Sequence, residues 1–236
     1  MPRAGNTLLG AILNQTKNIK VTPNSITIEI FSYLCSLKEN IHFKNFPLHS
    51  SLDSIIKNVF INYYENWNTS CILDRGPWGT LDNLCNLKKH FKDLKFIVLY
   101  RDPLECLASF VRAEPNNSIE NICNDYMTNN GAILKSFNSI KNIIEKKENH
   151  IFITYDEFVN KTQQTLEKIA FFVEEPISKI CLNNFKQFNI DNIFYDDSAL
   201  GVDYHTIKTN EVKQEKYDIK DYLPEYVIGK YRDMKI

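Results

Sequence analysis

Three short apolar runs constrain this chain more than any other feature. Residues 70–75 (SCILDR), 95–101 (KFIVLYR) and 150–156 (HIFITYD) are apolar at consecutive positions, not alternate ones. A strand with that pattern is buried on both faces, which is the habit of parallel sheets covered by helices. Helical patterns stand between the runs. Leu8, Leu9, Ile12 and Leu13 suit a first helix opening at about Asn6. Leu104, Leu107, Ala108 and Val111 follow i, i+3, i+4, i+7 after Pro103, a residue suited to a first helical turn. Ile122, Tyr126, Ile133, Ile140 and Ile144 predict one long helix from about 118 to 147, and Leu166, Ile169, Ala170 and Val173 another beginning near Thr162. Strands alternating with helices give an α/β fold with a parallel sheet flanked by helices. Residues 191–220 are polar with poor periodicity and read as a long surface loop, which in a compact domain is often functional. With no repeat and no composition break, residues 1–236 read as one domain.

Charge and cysteine content narrow the classes of partner. The net charge of −1 supplies no bulk field toward nucleic acid or anionic lipid, so any anion site must be local. The six cysteines (Cys35, Cys71, Cys85, Cys106, Cys123 and Cys181) show no CxxC pair and no metal-ligand spacing. Most lie in apolar surroundings, where a free cysteine behaves as a small hydrophobe. This usage indicates a reducing compartment. Together with the lack of a leader or an apolar run of about 18 residues, it predicts a cytoplasmic protein without membrane, nucleic-acid or metal partners.

The candidate anion site is the opening stretch, Pro2-Arg3-Ala4-Gly5-Asn6-Thr7-Leu8, where a glycine turn leads into the first helix. Backbone N–H groups at a helix N-terminus are unpaired and carry partial positive charge, so phosphate or sulfate is favoured there. Gly5 permits close backbone approach, Thr7 offers a hydroxyl, and Arg3 supplies a fork of donors. The nucleotide-kinase loop GxxxxGK[ST] and its lysine are not matched. A second element lies at "LYRDPLECLASF", with Arg101 at the carboxyl end of a predicted strand and Ser109 eight residues later, about two turns along a helix. Ligands of open α/β sheets bind beyond strand carboxyl ends, and an arginine and a hydroxyl there can share a phosphate. Taken alone, Arg101 reads as an ion-pair partner of Asp102 or Glu105, and Ser109 as a neutral helix position.

Together these stretches resemble the PAPS-dependent sulfotransferases, whose donor is 3′-phosphoadenosine 5′-phosphosulfate. "PRAGNTLLGAILNQ" is similar to the family's 5′-phosphosulfate loop, often PRSGTTLL, and "LYRDPLECLASF" to its 3′-phosphate motif. "ITYDEFVNKTQQTLEKIAFFVE", "CILDRGPWGTLDNL" and "GVDYHTIKT" look like later signatures in the family's order, so the resemblance spans roughly residues 2 to 210. The flavour is that of the bacterial and tyrosylprotein-like branch, since an arginine follows Pro2. The resemblance implies that Arg3, Ala4, Gly5, Asn6, Thr7 and Leu8 surround the 5′-phosphosulfate, with Leu8 contributing its backbone N–H. It implies that Arg101 and Ser109 grip the 3′-phosphate, that Tyr155 lies against the adenine, and that His205 and Lys208 close over the donor. It implies catalytic roles for Arg3 and Arg75, whose guanidinium groups can stabilise charge on the departing nucleotide.

The general base is less legible. The tyrosylprotein branch carries a glutamate where this chain has Asn24, which cannot act as a base. Asp74 is the nearest carboxylate in the right region, with His42 or His49 as further candidates. The resemblance also leads to the expectation that the loop is entered from a central apolar strand, which the sequence before Pro2 does not contain; either a chain starting upstream of Met1 supplies it or this copy of the fold is compromised. The expected function is sulfuryl transfer to a small-molecule, glycan or peptide acceptor. Residues 22–66 and 191–210 are expected to form the acceptor pocket. Two alternatives stay open: a non-catalytic nucleotide-binding or interaction protein, and a P-loop kinase.

Overall fold

A computed structural model describes residues 1–177, 180–190, 192–198, 201, 203–215 and 217–236. Chain order begins with helix α1 (Asn6–Leu13) and strand β1 (Ile19–Val21), followed by three helices, α2 (Thr27–Ser36), α3 (Ile41–Asn45) and α4 (His49–Tyr63). Then come β2 (Cys71–Leu73), α5 (Leu81–His90), β3 (Phe96–Tyr100), α6 (Pro103–Ala113), α7 (Ile119–Tyr126) and α8 (Ala132–Glu145). The chain continues through β4 (His150–Thr154), α9 (Tyr155–Asn160), α10 (Thr162–Val173), a small hairpin of β5 (Asn189–Ile190) and β6 (Ile193–Phe194), and α11 (Glu225–Tyr231).

All three apolar runs form strands, and all four principal strands pair in parallel. β1 lies beside β2 with Ile19 opposite Cys71 and Val21 opposite Leu73. β3 lies beside β4 in register from Phe96–His150 to Tyr100–Thr154. The expected sheet is therefore present as two parallel pairs, with helices packed around both. Among the described residues no strand precedes the Pro2–Gly5 loop, and β2 and β3 turn toward a cleft of about 710 Å³ lined by both. Ile12 and Leu13 of α1, Ile19, Phe31, Leu107, Ile153, Phe158 and Leu166 are fully buried and join the layers into one core.

The start of α6 follows from its sequence. The Asp102 carboxylate accepts the Leu104 N–H at 2.8 Å, and Pro103 occupies the first turn, where no donor is needed. This fixes the chain direction immediately after β3 and turns Arg101 inward.

Two expectations require correction. The single helix over 118–147 is two helices, α7 and α8, separated by residues 127–131. Thr128-Asn129-Asn130-Gly131 is turn chemistry, and a Cβ on Gly131 would stand 2.5 Å from the Tyr126 carbonyl carbon, so the chain reverses there only with glycine. Residues 191–220 are not merely a surface loop. Asp197 is 3% exposed, and Tyr204 and Tyr217 pack against the core near Arg3 and Arg101.

Candidate functional site

The opening loop holds two left-handed residues, Arg3 at φ 58° and Gly5 at φ 84°. For arginine that conformation is strained by about 1–3 kcal/mol, and it is retained where the chain swings round to start α1. Gly5 is the N-cap and has no side chain to satisfy the first-turn N–H groups, which stay directed outward from the helix end. A Cβ at Gly5 would come within 3.2 Å of the Phe158 ring, so packing as well as φ requires glycine. Ala4 is fully buried. The Asn6 amide bridges back to the Met1 carbonyl at 2.5 Å and closes the loop on itself. Thr7 and Leu8, on the first turn, are half-buried.

Arg3, Arg101 and Ser109 form one cluster. Arg3 Nε donates to Ser109 Oγ at 3.0 Å, and Arg101 Nη1 donates to the Arg3 carbonyl at 2.9 Å. The motif after β3 thus grips the loop before α1. Arg101 is 6% exposed, and it also donates from Nε to Glu105 Oε2 at 3.0 Å and from Nη2 to Tyr217 Oη at 3.1 Å. Its guanidinium lies 4.3 Å from the centre of the Tyr155 ring, so Tyr155 forms the floor under this cation. The Arg3 guanidinium sits between the Phe110 and Tyr204 rings, 5.8 and 5.5 Å from their centres. Tyr204 is held by Glu114, which also accepts the Tyr126 hydroxyl at 2.6 Å. Glu114, Tyr204 and Tyr217 escaped the sequence reading. Glu105 alone carried a signal, as the i+4 partner of Arg101.

Arg75 stands just beyond the carboxyl end of β2, where its backbone N–H donates to Thr22 Oγ1 at 2.7 Å. Asp74, its neighbour, turns the other way and accepts from the Thr27 and Tyr64 hydroxyls and, at 3.3 Å, from Trp78 Nε1. Three donors commit that carboxylate to binding α2 and α4 to β2. Among the described residues no carboxylate lies within ion-pair distance of the Arg75 side chain. Desolvation lowers its pKa to about 10, only partly opposed by Tyr195 and Asp197. A half-buried guanidinium with no ion-pair partner among the described residues suits a site that receives an anion.

His205 faces the same small cavity as Arg75 and Thr7. Buried Asp197 orients the imidazole, accepting from Nδ1 at 2.9 Å and from the His205 backbone N–H at 2.5 Å. Asp197 also takes the Tyr195 hydroxyl at 2.7 Å. With Nδ1 as donor to Asp197, the neutral ring keeps Nε2 as its acceptor. Burial, followed by the Arg75 charge, holds the His205 pKa below its ordinary value, against the opposing pull of Asp197. Asp197 is itself held below the usual carboxylate range, because its hydrogen bonds from Tyr195 and His205 together outweigh desolvation.

Three other candidates lie apart. Lys208 is exposed and paired with Asp203 at 3.2 Å. His42 and His49 are exposed on α3 and α4, with the His49 ring edge-on to Phe43.

Two guanidinium groups, a buried hydroxyl and a helix N-terminus without a side-chain cap converge from elements distant in sequence, a set of donors of the kind that binds anions. These donors fit the phosphosulfate and 3′-phosphate of an adenylate donor in kind. Among the described residues no group of three or more His, Cys, Asp or Glu side chains could hold a metal ion, and no helix is long and apolar enough to cross a membrane.

The chain is similar in structure to a sulfotransferase domain from the curacin biosynthetic pathway, with a TM-score of 0.59 and 18% identity over 100% of this chain and 89% of that one. It is also similar to a sulfotransferase domain from the Synechococcus PCC 7002 olefin synthase, with a TM-score of 0.55 and 16% identity over 87% of this chain and 81% of that one. No curated protein sequence matches it. The sulfotransferase domain family matches residues 1–234, and the chain belongs to that family.

Proposed function

We propose that this chain transfers a sulfuryl group from 3′-phosphoadenosine 5′-phosphosulfate to an acceptor hydroxyl or amine. The observation that carries this reading is the Arg75 guanidinium, without a carboxylate partner among the described residues, facing the same cavity as Thr7 on the uncapped first turn of α1. When bound, the donor supplies an activated sulfuryl group and a leaving nucleotide phosphate. Arg3, Thr7 and the first-turn N–H groups of α1 hold the 5′ anion. Arg101 and Ser109 hold the 3′-phosphate, for which the Tyr217 hydroxyl and Arg3 are the present partners of those two side chains.

Arg3 and Arg75 stabilise negative charge on the leaving oxygen, as fixed donors in a partly desolvated site do most effectively. His205 accepts the acceptor's proton at Nε2, and Asp197 fixes the tautomer that leaves Nε2 free. This assigns the base role to His205 in preference to Asp74, whose oxygens already accept three donors. The acceptor approaches from the side of β5, β6 and the α2–α4 helices. The six free thiols are in keeping with a cytoplasmic setting.

Release of 3′-phosphoadenosine 5′-phosphate in the presence of phenolic, alkyl-hydroxyl and amine acceptors tests the reaction. Acceptor-dependent release supports it. Nucleotide binding without release on any of the three classes would leave a binding protein instead.

A further inference from the structure

The cavity shared by Thr7, Arg75 and His205 is small, about 20 Å³, which is room for roughly one water-sized group. Its other polar side chains are tied to the backbone. Asn14 Oδ1 accepts the Val21 N–H at 2.7 Å, and Asn14 Nδ2 donates to the Val21 carbonyl at 3.2 Å. Gln187 Oε1 accepts the Ile207 N–H at 3.1 Å, and Gln187 Nε2 donates to the Tyr195 carbonyl at 3.3 Å. Thr22 Oγ1 takes the Arg75 N–H at 2.7 Å. Arg75, His205 and Thr7 are the groups that the reaction itself uses. Among the described residues the cavity thus serves one reacting hydroxyl, and a second hydroxyl entering there would give up water without gaining a partner.

The wall that continues from this cavity is apolar. Phe188 lines the cavity, and Trp67, just after α4, packs on it with ring centres 5.4 Å apart. The Tyr195 N–H donates to Phe188 O at 3.0 Å, which adds one pair to the β5–β6 ladder of Asn189 with Phe194 and Ile190 with Ile193. Opposite residues of an antiparallel pair share a face, and so do residues two apart on one strand. Phe188, Ile190, Ile193 and Tyr195 therefore lie on one face of the hairpin. Tyr195 stands at the inner end, its hydroxyl 3.4 Å from His205 Nδ1. Ile190 and Ile193 stand roughly 7 Å further out. Ile193 is 74% exposed, so the outer end of this face is open to a ligand.

We infer that this face of the hairpin, with Trp67, holds the body of the acceptor, and that the acceptor is an apolar alcohol or phenol with one reactive hydroxyl. The inference rests on the sulfuryl-transfer reading above. The acceptor oxygen forms the new S–O bond as the bridging S–O bond of the donor breaks. Its proton passes to His205 Nε2, and the nucleotide leaves as 3′-phosphoadenosine 5′-phosphate. A glycan would lay the hydroxyls around the reacting one against Phe188 and Ile193, where they find no partner. An alkyl or aryl body instead gains about fourfold in affinity for each CH₂ that it buries.

The test titrates 1-butanol, 1-hexanol, 1-octanol and methyl glucoside by calorimetry into the full chain with 3′-phosphoadenosine 5′-phosphate present, and offers the same four as acceptors with the sulfuryl donor. Affinity should rise roughly 100-fold from butanol to octanol, octanol should bind more tightly than methyl glucoside, and kcat/KM should follow the same order. Ile193→Asn, at an exposed hairpin position, should cut the octanol-to-butanol ratio about tenfold. Phe171→Ser, at an apolar position 89% exposed on α10, should leave that ratio unchanged. Equal affinity along the alcohol series, or methyl glucoside binding as tightly as octanol, would overturn the inference. A ratio that Ile193→Asn leaves intact would overturn the assignment to the hairpin. Binding in the expected order without turnover of any of the four would overturn the transfer reading instead, and turnover confined to the glucoside would overturn the acceptor class alone.

Discussion

Arg3 Nε donates to Ser109 Oγ at 3.0 Å across 106 residues of sequence, joining the loop before α1 to the helix that follows β3. Arg101 completes the link through the Arg3 carbonyl. The two stretches that carry the family resemblance are therefore one physical object, and their substitutions should act together.

Ser109→Ala removes a buried hydroxyl from this link. A hydrogen bond to a charged group is worth about 1.5–3 kcal/mol, so affinity for 3′-phosphoadenosine 5′-phosphate should fall roughly 10- to 100-fold. Arg101→Ala should fall at least as far, and the double variant should lose less than the sum. Isothermal calorimetry on the three variants checks both the size and the non-additivity.

Arg75→Met should separate catalysis from stability. The side chain has no carboxylate within ion-pair distance among the described residues, and desolvation disfavours its charge. Turnover should drop about 10²- to 10³-fold, as for loss of one oxyanion-stabilising donor. The thermal midpoint should stay level or rise. A lowered midpoint with undiminished turnover would place Arg75 in the scaffold.

The pH profile should carry an acid limb below the ordinary histidine value of about 6.5. Burial and the Arg75 charge hold His205 below that value, so the neutral, proton-accepting ring persists to lower pH. Turnover should be flat above about 6.5 and fall as the folded-state pKa is crossed from above. The unfolded chain binds this proton at higher pH than the folded one. Stability from His205 is therefore complete above about 6.5 and is lost as pH falls below it. His205→Gln should lose about 10²- to 10⁴-fold in rate, and any residual activity should lack this limb. Persistence of the limb in the variant would assign it elsewhere.

Gly5→Ala should be destabilising by more than about 1 kcal/mol, since an added Cβ meets both a positive φ and the Phe158 ring. Chemical denaturation gives the size. Nucleotide binding should weaken as well, because the first turn of α1 cannot keep its place. A variant as stable as the parent would show that the loop relaxes freely.

Much of the scaffold was legible because its signals are local. Consecutive apolar residues marked β2, β3 and β4, and Asp102-Pro103 marked the start of α6. The break at residues 127–131 was hidden because Ile122, Tyr126, Ile133 and Ile140 stay in phase across it, and periodicity outvoted the Asn-Asn-Gly turn. β1 has three residues, too few for a pattern. Within the candidate site, Arg3, Arg101 and Ser109 were visible as motif positions, but their mutual hydrogen bonds were not. The Asp197–His205 pair lies in a stretch without periodicity, where only the fold brings a buried carboxylate to an imidazole. Asp74 illustrates the converse: its place after a strand reads as catalytic, yet its partners are Thr27, Tyr64 and Trp78, from elements whose packing no local pattern reveals.

Calorimetric titration of 3′-phosphoadenosine 5′-phosphate against ADP tests the central claim most directly, because the two nucleotides differ in the 3′-phosphate assigned to Arg101 and Ser109. The structure leads to a preference of at least tenfold for the 3′-phosphorylated nucleotide, as one charge-assisted hydrogen bond implies, and to its disappearance in Arg101→Ala. Equal affinity for the two, or a preference for ADP, would contradict the assignment of this site to a sulfotransferase donor.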